Sequence, residues 1–146
     1  MTTKNDTAKL LRECRAGVGM GISSLEDVLP YVKNKTLETY LKNAKEKHEN
    51  LQREADELLR SMHEERKGPS PVATAMSKMK TYTHLWWAKK DSTVASLMTD
   101  GCHMGVKSLC RYLCQYPTAS EESRELARRI VALEDDMTVT LRNYLG

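Results

Sequence analysis

The side chains best suited to chemistry in this sequence are His48, His63, His84 and His103, with the thiols Cys14, Cys102, Cys110 and Cys114. His48 stands out because it interrupts an apolar stripe, Leu37, Leu41, Ala44, His48, Leu51, Ala55, Leu58 and Met62. Steps of three and four residues mark one face of a helix. A histidine there has two readings. The structural one is a core imidazole hydrogen-bonded to a neighbouring helix, with Ser24 or Ser108 as the expected partner. The functional one is an axial ligand to a bound cofactor, with Met20 or Met104 opposite. Asp100, Cys102 and His103 form the densest group of candidate metal ligands. Successive helical residues diverge by about 100°, so these three cannot close on one ion unaided. Cys110 and Cys114 lie one turn apart, off the apolar face. Nucleophilic catalysis would need a Ser or Cys beside a base held by a third group, and no spacing nominates one. The expectation is therefore no catalytic residue, no metal site and no cofactor.

These residues must be carried by helices, because no segment alternates with the period of a strand. The first helix is predicted to follow Asp6 as N-cap and to end near Pro30, with Leu11, Cys14, Val18, Ile22, Leu25, Val28, Leu29 and Val32 inward. The second runs from Lys35 or Thr36 to about Glu65. The stretch Lys67-Gly-Pro-Ser-Pro71 breaks the chain. A short helix over 72–90 follows, carrying Met76, Met79, Trp86 and Trp87. The next is expected from an Asp91 N-cap to about Gln115, closed by Pro117. The last opens at Ser120 and ends near Leu145, with Leu126, Ile130, Leu133, Met137, Leu141 and Tyr144 inward. The reading is a single all-α domain over 1–146: a hairpin over 6–66, a crossover helix over 72–90 and a hairpin over 92–145.

The two hairpins share a segment. Gly17-Val-Gly-Met-Gly-Ile-Ser-Ser-Leu25 aligns without gaps to Gly101-Cys-His-Met-Gly-Val-Lys-Ser-Leu109, at a constant offset of 84 residues (17 to 101, 25 to 109). Glycine inside a helix costs about 1 kcal/mol against alanine. Repeating it at Gly17, Gly21, Gly101 and Gly105 is expected to reflect close approach of packed helices. The competing reading is a glycine-lined centre that leaves room for a ligand near His48.

A duplicated hairpin joined by a long crossover resembles the ferritin-like four-helix bundles. More narrowly, the chain is similar to small uncharacterised bacterial members of that group with Met-Gly-[Ile/Val] in their first and fourth helices. Di-iron members of the group carry a Glu on each of two helices and Glu-x-x-His on each of the other two. Here the residues three before the histidines are Lys45, Arg60, Thr81 and Asp100, and the last helix reads Glu134-Asp-Asp-Met137. The resemblance therefore implies the bundle without its di-iron chemistry.

Composition narrows the rest. The 146 residues suffice for one domain with a core of its own. Phe is absent, and eight Met with six Tyr and two Trp supply much of the bulk. A net charge of +3, with Lys and Arg interspersed among Glu and Asp, argues against nucleic acid. The first residues carry no secretory pattern, and no apolar run approaches the roughly 20 residues of a membrane span. A cytoplasmic location with reduced thiols and no membrane insertion is expected. Trp86 and Trp87 cannot both face one core, so self-association through the crossover helix is a further expectation. The functional reading is a non-enzymatic structural or protein-interaction bundle. The alternative is a ligand-, cofactor- or metal-binding bundle centred near His48.

Overall fold

Among the described residues, three side-chain caps start helices. Thr3 accepts from the Asp6 amide at 3.2 Å, Asn34 from the Leu37 amide at 3.0 Å and Ser120 from the Ser123 amide at 3.2 Å. Each satisfies an amide that the first helical turn leaves without a backbone partner. The computed structural model describes residues 2–62 and 90–146, and these form α1 (Lys4–Val28), α2 (Lys35–Ser61), α3 (Asp91–Gln115) and α4 (Glu121–Leu141). Short 3-10 turns cover Leu29–Tyr31 and Arg142–Tyr144. Among the described residues there is no strand, and no helix is long and apolar enough to cross a membrane. The expected crossover helix, with Trp86 and Trp87, lies outside the described residues apart from Lys90.

Two expected caps move. Asp6 sits inside the first turn, because Thr3 caps α1 three residues earlier. Asp91 is the first helical residue rather than the cap. Its carboxylate accepts the Lys33 amide at 2.8 Å and the Asn34 amide at 3.0 Å. That contact fixes the start of α3 beside the α1–α2 turn. At the other end, the Thr3 amide donates to the Thr118 carbonyl at 2.8 Å, and the Ser120 amide donates to the Thr7 hydroxyl at 2.8 Å. So α1 and α4 run one way, and α2 and α3 run the other. Met62 and Tyr116 pack against the same apolar cluster as Ala119, at one end of the bundle, whereas Lys90 precedes α3 at the opposite end.

Among the described residues the core has two apolar clusters. One gathers Leu10, Leu11, Leu59, Leu126 and Ile130 at the Met62 end. The other gathers Leu25, Leu37, Leu41, Val94 and Leu141 at the Lys90 end. The stripe on α2 follows the expected spacing to Ala55 and then turns. Leu59 is fully buried, while Leu58 and Met62 are half-buried. The helix repeat of 3.6 residues rotates the stripe by that much over five turns. Ile22 on α1 and Leu29 in the 3-10 turn after it are likewise half-buried, and Leu10 is in the core instead. Truncating one of these buried leucines to alanine costs about 2–5 kcal/mol. Ion pairs tie the helices outside the core: Arg15 to Asp56 at 2.6 Å between α1 and α2, and Arg129 to Glu54 at 2.7 Å between α2 and α4.

Candidate functional site

A polar layer separates the two apolar clusters. On α2, His48 follows Ala44 and precedes Leu51 along the buried stripe. On α4, Glu134 lies between Ile130 and Met137 on the equivalent stripe. His48 is 1% exposed and Glu134 is 7% exposed. The imidazole Nε2 lies 2.8 Å from Glu134 Oε1, and Nδ1 lies 2.7 Å from the Ala44 carbonyl oxygen. A carbonyl only accepts, so Nδ1 carries a hydrogen and donates it. One proton then lies between Nε2 and Oε1. Imidazolium with carboxylate, or imidazole with carboxylic acid, gives the same proton count and no net charge.

The electrostatics favour charge on the ring. Burial alone would pull the His48 pKa down, but the hydrogen bond and charge of Glu134, with the Ala44 carbonyl, raise it above its ordinary value. Cys102 from α3 is buried beside this layer, close enough to feel the Glu134 carboxylate. Burial, then the Glu134 charge, pushes that thiol well up. Burial, with Glu13 nearby, raises the Cys14 thiol to about 12. Both buried thiols are thereby held protonated, a state that is neither nucleophilic nor ligating.

Two of the four expected glycines face this layer, and one of them, Gly21, makes the space for it. A Cβ on Gly21 would stand 2.8 Å from His48 Cδ2 and 3.0 Å from Nε2. A Cβ on Gly105 would meet Glu134 at 3.7 Å, an ordinary contact. At Gly17 and Gly101 an added Cβ would meet nothing within 4 Å, and Gly101 is exposed. Four residues advance a helix by about 40° beyond a full turn, which takes these two glycines to the edge of the buried stripe. Close packing thus demands glycine at Gly21, whereas Gly105 has room for a methyl and Gly17 and Gly101 face open space.

The other sequence candidates are not assembled into one site. Met104 is 52% exposed and Met20 is half-buried. Both nitrogens of His48 are already engaged, so the arrangement differs from an axial ligand facing a methionine. Ser24 and Ser108 are half-buried, and the polar partners of His48 are Ala44 and Glu134 instead. Cys102 is buried while Asp100 and His103 are exposed. Among the described residues no three His, Cys, Asp or Glu side chains are grouped to hold a metal ion. An open groove of about 530 Å³ runs along α2 and α4 past Glu54, Glu57, Leu58, Glu125, Leu126 and Arg129. A second of about 220 Å³ lies beside Lys47, Leu51 and Leu133. Neither is lined by His48 or the glycines.

Glu134 is the residue that sequence reasoning missed. It reads as the start of an acidic run, Glu134-Asp-Asp. Its signal was positional: four residues after Ile130 and three before Met137, it falls on the stripe. The two hairpins also share a register. Buried Leu10, Leu11, Cys14, Val18 and Leu25 of α1 match buried Val94, Ala95, Met98, Cys102 and Leu109 of α3 at the offset of 84. On the second helix of each hairpin the offset becomes 86, which pairs the caps Asn34 and Ser120, and pairs His48 with Glu134. Comparison with protein-family models, curated proteins and solved structures gives no match.

Proposed function

We propose that this chain is a non-enzymatic helical bundle, ferritin-like in plan and built from two copies of one hairpin, that serves as a structural or protein-interaction module. The observation that carries this reading is the engagement of His48. Both ring nitrogens are bound within the protein, and Gly21 leaves less than a methyl group of room above the ring. A cofactor seeking His48 would have to displace Glu134 or the Ala44 carbonyl. The bundle centre therefore works as a polar clasp between hairpins.

The ferritin-like plan is supported by the helix directions, by the opposite placement of Met62 and Lys90, and by the register shared at offsets of 84 and 86. Self-association through Trp86 and Trp87, and a cytoplasmic setting, belong to the same proposal. A monomer by light scattering at high concentration would remove the first.

Native mass spectrometry with an absorption spectrum of the freshly purified full chain tests the central claim. The expected result is no chromophore or adduct that depends on His48. A bound species present in the wild type and absent from His48→Gln would overturn the reading in favour of a ligand-binding bundle.

A further inference from the structure

We propose that Cys110 and Cys114, exposed one turn apart at the C-terminal end of α3, form a two-thiolate site for a soft univalent cation of the copper(I) type. The inference goes beyond the module reading and does not involve the bundle centre. Residues four apart on a helix are surface neighbours with Cβ atoms about 5–6 Å apart. A disulfide needs Cβ atoms about 3.5–4.5 Å apart, so the pair is held too wide to close on itself. Two sulfurs directed at one ion between them can bridge the wider gap. Both thiols are exposed, whereas Cys14 and Cys102 are buried. The burial that pushes those two thiols up leaves the α3 pair as the accessible ligands.

Ligand number decides the ion. Structural zinc takes four ligands in a tetrahedron, and no third ligand groups with this pair among the described residues. His103 shares the outward stripe, but seven residues place it about 10 Å back along the axis. Thiolates select soft ions, copper(I) among them. The position adds to the preference, because a helix C-terminus carries partial negative charge that favours a cation nearby, and the guanidinium of the neighbouring Arg111 is drawn over the Tyr112 ring. Binding is an exchange without redox change: copper(I) enters, two thiols release two protons, and the bis-thiolate complex carries one negative charge.

The test is an anaerobic titration of the full chain with copper(I) against a chromophoric copper(I) chelator. The wild type is expected to withdraw one equivalent from the chelator, and Cys110→Ser and Cys114→Ser are each expected to lose it with unchanged helical circular dichroism. Combining Cys114→Ser with Gln115→Cys moves the second thiol about 100° round the helix, and is expected to lose the equivalent too. Failure of the wild type to withdraw copper overturns the proposal. So does equally tight binding by either single variant or by the shifted pair. An adduct that depends on His48 would bear on the module reading alone, so the two failures are distinguishable.

Discussion

The two hairpins bring equivalent positions to the bundle centre but fill them oppositely. The first contributes an imidazole wedged under Gly21, with 2.8 Å between the ring and a Cβ that is not there. The second contributes a carboxylate beneath Gly105, where an added Cβ would meet it at an ordinary contact of 3.7 Å. Equal side chains at these related positions would put two imidazoles or two carboxylates together, and like charges in a buried site repel. The difference between the hairpins is what makes them complementary. It also fixes their relative position, since sliding one hairpin by a turn would set each polar group against the partner's apolar cluster.

The largest effect should come from splitting the pair. Glu134→Leu leaves a buried imidazole facing hydrocarbon, and removing one partner of a buried ion pair costs about 3–5 kcal/mol. His48→Leu should cost a similar amount by stranding the carboxylate. Replacing both together by apolar residues of similar volume is often neutral or stabilising by about 1–4 kcal/mol. The double variant should therefore be far more stable than the sum of the singles implies. Urea denaturation of the four proteins measures this coupling, and additive losses would mean that the two residues act independently.

A smaller effect should separate the glycines. Gly21→Ala forces a methyl against a ring anchored by two hydrogen bonds, and such overpacking costs about 1–3 kcal/mol. Helix propensity returns about 1 kcal/mol of that. Gly105→Ala meets no such obstacle and should be stabilising by up to about 1 kcal/mol, as should Gly101→Ala at its open position. Thermal melts of the three variants check the order. If Gly21→Ala were as stable as Gly105→Ala, the His48 ring would have to be freer than its hydrogen bonds imply.

How far the chain could be read before its structure follows the same division. The four described helices, the turn at Pro30, the stop at Pro117 and most of the buried stripes were legible because they depend on local spacing and local caps. Asp91 was misread because its carboxylate serves amides 57 and 58 residues away, Asn34 and Lys33, and no local rule contains that contact. His48 was legible as a buried polar residue, but its partner was not. Hydrophobic periodicity treats a charged residue as solvent-facing, so Glu134 was set with its acidic neighbours. Aligning the buried stripes at an offset of 86, rather than 84, would have paired them. Those two extra residues lie in the turn of the second hairpin, where the self-match no longer tracks identity.

The mildest perturbation is a change of proton occupancy, and its sign follows from His48. The folded state raises the His48 pKa above the ordinary 6.5, so between the unfolded and folded values the native protein binds more protons than the unfolded chain. Stability then falls with rising pH in that window. The contribution is fully present below about pH 6.5 and disappears as pH climbs through the folded value. The surface pair behaves in the opposite sense. Hydrogen bonding to Arg129 lowers the Glu54 pKa below its usual 4.5, so that contribution is present above the usual value and lost as pH falls through the lowered one. It is small because the pair is solvated. Denaturation midpoints across a pH series should therefore show an alkaline decline that His48→Gln removes, and a weaker acid decline that Glu54→Gln reduces. An alkaline limb unchanged in His48→Gln would mean that the central proton is not the one being titrated, and the clasp would lose its electrostatic argument.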